Sequence, residues 1–483
     1  MTITIVGLGT GHVDDLTRRA WKTLESAGVV YLRTNQHPCV PDLPAGVEYR
    51  SFDEIYEAND SFDDVYAAIT ERIIAAAQAG EVVYAVPGDP MVAESTVIRL
   101  IKRGREENIP VEIVSGVSFI EPALALLGVD ALDGLQILDA IEIAAMHHPP
   151  INPDTPALLG QVYSRELASD LKLTLMNQYP DEFEVKLIHA AGTPEALVET
   201  VPLYEIDRSA HIKHLTALYI PALGGRSSFE QFQEVIAHLR APEGCPWDRK
   251  QTHQSLRQYL IEEAHEVLEA IDAEDWESLR EELGDLMLQV VLHTQIAIDD
   301  GEFRMGDVLS AINAKLIHRH PHVWGTVEVD SAEQVVKNWD ALKAEEKAKA
   351  GKPKRESILD GVPKGLPALL QAYQYQAKAA KPGFDWHKID NVIDKVREEF
   401  DEVIAAESDE HRAEELGDLL FVIVNWARWH NVEPETALRQ ANHKFYCRFR
   451  YVEEQVAATG KPMTDFTLDQ LDAWWNEAKE KGL

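Results

Sequence analysis

The chain has 483 residues, 82 acidic and 46 basic, for a formal net charge of -36. So acidic a body repels nucleic acid and would repel a free triphosphate unless divalent cations mediate the meeting, and it has no basic stripe to track a phosphate backbone. A hydrophobic share of 45% suffices for packed cores in about three domains of roughly 150 residues each. Cys39, Cys245 and Cys447 are too scattered for a disulfide framework or zinc motif, and there is no leader and no membrane-length apolar run, which points to a soluble cytoplasmic protein.

Residues 1–223 read as α/β. TITIVGLG is a strand ending in glycines, 17–27 a helix, GVVYL a second strand, EVVYAVPGD a third and VEIVSGV a fourth, followed by an apolar helix at 121–127. Strands alternating with helices predict a largely parallel sheet. DLKLTLMN, EVKLIHAAG and HLTALYIPAL are read as further strands, and GGRSS at 224–228 as a flexible joint.

Beyond the joint, helical periodicity dominates. Segments 229–342 and 366–483 repeat one another, separated by a linker at 343–365 whose core, KAEEKAKAGKPKRES, is charged and poor in apolar residues. EEAHEVLEAI matches EEFDEVIAAE, EELGDLMLQVV matches EELGDLLFVIV, and NAKLIHRH matches NHKFYCRF. Trp339 and Lys343 match Trp475 and Lys479.

In the second copy Glu399 and Glu402 share one helix face, as do Glu415 and Asp418 on the next. A short polar loop joins the helices, so four carboxylates can converge between them. The first copy offers Glu263, Glu266, Glu282 and Asp285. Acidic pairs at helical spacing also form solvated faces, but Asp285 and Asp418 sit in helices apolar nearly all round, where burial is expected. A buried unpaired carboxylate costs several kcal/mol, which a metal removes, and an oxygen-only set suits Mg²⁺ or Mn²⁺. A carboxylate beside the set, Glu398 or Glu399 in the second copy and Glu262 in the first, could accept a proton from water. Lys444 with Arg448, and Lys315 with Arg319, lie four apart and could hold phosphate oxygens or form surface ion pairs. Trp475 and Trp339 could stack on a base or belong to the core, with Lys479 and Lys343 four residues beyond them. Trp247 and Trp386, in loops before the carboxylate helices, could line an entrance or seal it.

EExxE, a gap, then ExxD, together with GCPWD, RHPHVW, GFDW and both NxKxxxR segments, resembles the MazG family of nucleoside triphosphate pyrophosphohydrolases over residues 229–483. The resemblance implies an all-α, usually dimeric fold and Mg²⁺-dependent cleavage of a triphosphate to monophosphate and pyrophosphate. It also implies the two carboxylate sets as metal ligands and Lys444 and Arg448 as phosphate contacts. It favours the C-terminal copy as the one that turns over, although neither copy has lost an acid.

VGLGTG supplies Gly7, Gly9 and Gly11 as GxGxG between a strand and a helix, and the second strand ends without an acid for a ribose diol, which argues against a nicotinamide site. VGLGTGHVDDLTRRAWKTLESAGVVYL, PGDPMVAES and IVSGVS resemble the tetrapyrrole methylase family over residues 1–222. That resemblance implies S-adenosylmethionine bound at strand ends, with Gly88, Asp89 and Pro90 matching one loop and Ser115, Gly116 and Ser118 a later one. Thr10 stands where the family usually has proline. The expected protein is an α/β methylase-like domain followed by two all-α modules acting on nucleoside triphosphates. A reading in which methyl transfer is the principal activity and the helical pair assembles the protein or senses nucleotides stays open at this point.

Overall fold

The apolar runs ITIVG and VVYAV become the buried centre of a parallel sheet. In the computed structural model, which describes residues 2–59, 61–349 and 357–483, β1 (Ile3–Gly7), β2 (Val29–Leu32), β3 (Glu48–Ser51), β4 (Val82–Val86) and β5 (Val111–Val114) pair in the order β3-β2-β4-β1-β5, every pair parallel. Helices α1 (Arg18–Ser26), α2 (Asp53–Ala58), α3 (Phe62–Ala79) and α4 (Ser95–Glu107) cover it. Side chains alternate across the strands. Ile3, Ile5 and Tyr84 pack on Ile69, Ile73 and Leu100, whereas Val6, Ala85 and Leu32 pack on Ala20 and Leu24. Burial on both faces explains why β1 and β4 read as unbroken apolar runs.

The second sheet departs from the expected parallel pattern. After α5 (Ile120–Leu127), β6 (Gln136–Asp139), α6 (Ala140–Ala144), β7 (Ala157–Gly160), α7 (Arg165–Leu175), β8 (Glu184–His189), β9 (Leu197–Pro202) and β10 (Thr216–Ile220) follow. The strand order is β6-β7-β10-β8-β9, and only β6–β7 is parallel. The segment DLKLTLMN is not a strand, as its alternation suggests, but the end of α7. Ser164 caps that helix by accepting from the Leu167 amide, and Ala168, Leu171 and Leu175 form a buried face at helical spacing.

Three loops cross at the C-terminal ends of β1, β4 and β5. The Gly88 amide donates to the Gly9 carbonyl at 2.8 Å, the Gly9 amide returns a bond at 3.2 Å, and the Gly116 amide donates to Asp89 Oδ2 at 3.1 Å. A Cβ on Gly116 would lie 2.3 Å from the Gly88 oxygen, and one on Gly7 2.5 Å from the same atom.

The chain divides into two compact units, Met1–Lys250 and Gln251–Leu483. Helix α8 (Phe229–Arg240), expected in the first helical module, therefore belongs to the first unit. The expected flexible joint is tied down at its end. Asp154 accepts from the Ser227 and Ser228 amides at 2.9 and 2.8 Å and from Ser227 Oγ at 3.1 Å. Those amides, Ser228 first, hold its carboxyl down at about 2. Because the folded-state value is depressed, this tie contributes above the ordinary carboxylate range and is lost as pH falls through about 2.

All regular elements among the described residues of the second unit are helices. Its first copy contains α9 (Arg257–Asp272), α10 (Trp276–Asp299), α11 (Met305–Arg319), the turn α12 (Pro321–Trp324) and α13 (Ala332–Lys349). Its second contains α14 (Ala368–Ala380), α15 (Ile389–Ala405), α16 (Asp409–Trp429), α17 (Pro434–Thr459) and α18 (Leu468–Glu480). The expected linker begins too early: residues 343–349 complete α13, and its part at 350–356 lies outside the described residues. The pairs α9–α10 and α15–α16 form hairpins whose second helices are capped by Asp275 and Ser408. Arg439 of the second copy donates to Asp272 of the first at 3.0 Å. No helix among the described residues is long and apolar enough to cross a membrane.

Replacing Gly116 by alanine should destabilise the first unit by about 1–3 kcal/mol, the usual penalty of overpacking. Thermal unfolding followed by circular dichroism reads this directly, and an unchanged melting temperature would refute the crossing as a packing constraint.

Candidate functional site

Helical spacing brings the first carboxylates together. Glu263 and Glu266 stand three residues apart on α9, Glu282 faces them from α10, and one oxygen from each lies within 4.8 Å of the others. The second copy does the same with Glu399 and Glu402 on α15 and Glu415 on α16. Asp285 and Asp418 fall outside both groups of three. Their expected burial is also corrected: Asp285 is half-buried and Asp418 exposed. Leu283, Met287 and Val290 in α10, and Leu416, Leu420 and Ile423 in α16, form matching apolar stripes that are nearly half exposed, so neither helix is buried all round. Glu399, 5% exposed, is the one acid of the eight that is fully buried.

Crowding changes the acidity of these groups. Loss of water, then the charges of Asp285 and Glu266, raises the Glu263 carboxyl, and loss of water, then Glu266 and Asp285, raises Glu282. Asp285 thus acts on the set electrostatically. Glu402 is raised by loss of water and then by Glu399 and Glu415. Each set is a knot of negative charge that favours a cation or protons.

The two copies answer that charge differently, and the sequence reading missed the difference. Lys395, one turn before Glu399, donates to Glu399 Oε1 at 2.8 Å and to Glu398 Oε1 at 2.9 Å. Those bonds, Glu399 first, hold its ammonium well above the ordinary lysine range. His411 Nε2 lies 2.9 Å from Glu415 Oε1. Position 259, four before Glu263, is tyrosine, and Gln289 Nε2 reaches Glu263 Oε1 at 3.5 Å. Of the expected proton acceptors, Glu262 and Glu398 are exposed, and Glu398 is held by Lys395.

The basic and aromatic residues form a second group in each copy. Arg319 lies over the Trp339 ring at 5.8 Å, and Arg448 over Trp475 at 5.9 Å. Trp475 also packs on Phe445. Lys315, Lys343 and Lys444 are exposed, and Lys479 donates to Asn476 Oδ1 at 3.2 Å. Trp386 is 42% exposed in the second unit, whereas Trp247 belongs to the first.

The first unit carries a cavity of about 320 Å³ between the ends of β1 and β4 and the second sheet, lined by Gly9, Thr10, Gly88, Asp89, Ser118, Gln161 and Thr216 among others. Gly9, Gly88, Asp89 and Ser118 thus share one cavity wall. Gly7, Gly11, Pro90, Ser115 and Gly116 are not in its lining, and Gly7 and Gly116 serve the loop crossing instead. Sequence reasoning missed an ion pair at the same wall. Arg33 Nη1 pairs with the buried Glu94 carboxylate, while Arg33 Nε donates to the Tyr56 hydroxyl at 2.8 Å. Burial raises the Glu94 carboxyl against the pull of Arg33. His37, its basicity lowered by burial, bonds the Gly9 carbonyl oxygen at 3.1 Å. Ala93 and Gln161 in the lining, and Ala190 beside it, hold positive φ of 56°, 67° and 48°. Non-glycine residues rarely adopt this conformation unless their surroundings impose it.

Comparison with known proteins follows this division. The family described as Tetrapyrrole (Corrin/Porphyrin) Methylases matches residues 2–207, and the MazG nucleotide pyrophosphohydrolase domain matches residues 251–324. YabN of Bacillus subtilis (strain 168) is 44% identical over 99% of this chain and 98% of its own. The nucleoside triphosphate pyrophosphohydrolase/pyrophosphatase MazG of Thermotoga maritima is 45% identical over 52% of this chain and 95% of its own. The nucleoside triphosphate pyrophosphohydrolase of Escherichia coli (strain K12) is 41% identical over 53% and 98%. An α/β unit with its cavity at the strand ends and a helical unit that displays one carboxylate hairpin twice are thus the two halves of a member of the MazG family that carries an N-terminal tetrapyrrole methylase domain.

Proposed function

We propose that the helical unit hydrolyses canonical or aberrant nucleoside triphosphates to monophosphate and pyrophosphate with Mg²⁺ or Mn²⁺. The observation that carries this reading is the duplicated group of three carboxylates, in a chain that is 45% identical over 52% of its length to a protein named for that activity. The donor set fits a hard divalent cation: all ligands are oxygens, and loss of water followed by the like charges beside them raises Glu263, Glu282 and Glu402. Glu263, Glu266 and Glu282, with Asp285 beside them, would hold it in the first copy; Glu399, Glu402 and Glu415, with Asp418, would hold it in the second. When bound, the cation neutralises the triphosphate and orients a water toward phosphorus. A carboxylate of the set takes the proton of that water as the bond between the α-phosphorus and its bridging oxygen breaks. Arg319 and Arg448, which lie over the Trp339 and Trp475 rings at 5.8 and 5.9 Å, would bind phosphate oxygens.

The exposed stripes on α10 and α16 support a homodimer through the helical unit, since a second copy would remove both from water. Three free cysteines fit a reducing cytoplasm. The cavity of the first unit suits S-adenosylmethionine, whose sulfonium needs positioning more than acid–base help. Calorimetry with S-adenosylmethionine should give one site per chain, lost in Asp89→Ala because Asp89 ties its loop to Gly116. Heat from that variant equal to the wild type's would remove the assignment.

Incubation with a nucleotide panel should release pyrophosphate with Mg²⁺ and none in EDTA. The Glu266→Ala, Glu402→Ala double variant should lose about 100-fold or more in rate. Full activity in that variant, or no release from any nucleotide, would defeat the hydrolase reading. The same charge cluster predicts an opposite effect on stability. Glu402→Gln removes one like charge, so in EDTA it should melt above the wild type while losing part of the stabilisation that Mg²⁺ confers, as read by calorimetry. A lower melting point in EDTA would contradict charge crowding there.

A further inference from the structure

The two carboxylate sets present the same acids in different surroundings. In the second copy, Lys395 Nζ stands 2.8 Å from Glu399 Oε1 and 2.9 Å from Glu398 Oε1, and Glu399 is the buried member of its set. His411 Nε2 lies 2.9 Å from Glu415 Oε1. Glu399 and Glu415, two of the three grouped acids, therefore already face a nitrogen, and one of those nitrogens is an ammonium. A divalent ion entering this set must either break the contact between Lys395 and Glu399 or settle close to a like charge.

In the first copy the matching positions are Tyr259 and Ser278, and among the described residues no salt bridge reaches Glu263, Glu266 or Glu282. Glu263 meets an amide instead: Gln289 Nε2 lies 3.5 Å from its Oε1, at the outer limit of a hydrogen bond. Gln289 is 5% exposed, and its own Oε1 is buried without a partner. A buried carbonyl oxygen that has lost water and gained no donor is costly and uncommon. An ion drawn in by the three carboxylates would satisfy it once the amide turns that oxygen toward Glu263. Position 422, which matches Gln289 in the second copy, is valine and offers no such oxygen.

Resting on the hydrolase reading, which supplies the ion, we propose that the two copies load their divalent cation unequally: the first is the tight site, with Gln289 as a neutral oxygen donor beside its acids, and the second is a weak site held partly closed by Lys395. The repeat thus keeps its acids while one helix carries an internal competitor for them. As the ion concentration rises, the first hairpin fills before the second.

The test uses the full chain and Mn²⁺ alone, titrated by electron paramagnetic resonance of the free ion, with pyrophosphate release from a nucleotide panel measured alongside. The wild type should show one tight and one weak site per chain, about tenfold or more apart. Glu266→Ala should remove the tight site and Glu402→Ala the weak one. Lys395→Met, which keeps the length and removes the charge, should tighten the weak site by roughly tenfold and leave the tight one in place. Gln289→Leu should weaken the tight site by roughly threefold or more. Circular dichroism checks that every variant keeps the wild-type helix content. Two equal sites in the wild type, a tight site that survives Glu266→Ala, or a weak site unmoved in Lys395→Met overturns the unequal loading, and pyrophosphate released in any of those cases leaves the hydrolase reading standing. A tight site unmoved in Gln289→Leu overturns the role of that amide. Unequal sites with no pyrophosphate from any nucleotide support the loading order and remove the hydrolase reading. Absence of Mn²⁺ binding overturns both.

Discussion

Like charge held at short range by helix packing is the constraint on which the helical unit depends. Three carboxylates within 4.8 Å repel one another, and nothing in a lone α9 or α15 would bring them to a facing helix. The hairpins do so because their apolar contacts, Val267, Ala270 and Val291 in the first copy and Val392 and Val424 in the second, repay the crowding. The strain is chemically useful, because a site uncomfortable without a cation binds one with correspondingly more free energy. The same logic recurs in the first unit, where Glu94 tolerates burial because Arg33 and Thr96 bond it. There the charge is neutralised from within, and the cavity is shaped by glycine crossings and by three residues held at positive φ.

Much of this was legible in the sequence wherever spacing alone sets the geometry. EExxE places two acids on one helix face whatever lies around them, so the convergence could be read from the residues. The α/β class and the strands β1, β2, β4, β5, β8 and β10 were legible for a similar reason: apolar runs bounded by glycine leave few alternatives. Where burial was inferred from composition, the reading failed. Asp285 and Asp418 lie in apolar helices, but part of that apolar surface faces outward, so the acids were placed too deep. The strand assigned to 170–177 failed because LKLTLM satisfies period two as well as the helical face that Ala168, Leu171 and Leu175 share.

Partners distant in sequence were not legible at all. Arg33 and Glu94 are 61 positions apart, and no local pattern joins them. Glu346 sits in a run of lysines, glutamates and alanines that looks like solvated linker; only the folded chain singles out which glutamate reaches Arg319. Lys395 was hidden for the opposite reason, since a lysine one turn before a glutamate is among the commonest surface pairs of a helix.

That lysine has a consequence for how the duplicated halves have been free to diverge. Lys395 brings positive charge to the second hairpin's acids from within the same helix, and His411 sets an imidazole nitrogen 2.9 Å from Glu415. At the matching positions the first hairpin has Tyr259 and Ser278, neither of which carries positive charge, so the duplicated acids have kept their places while the residues that answer their charge have changed.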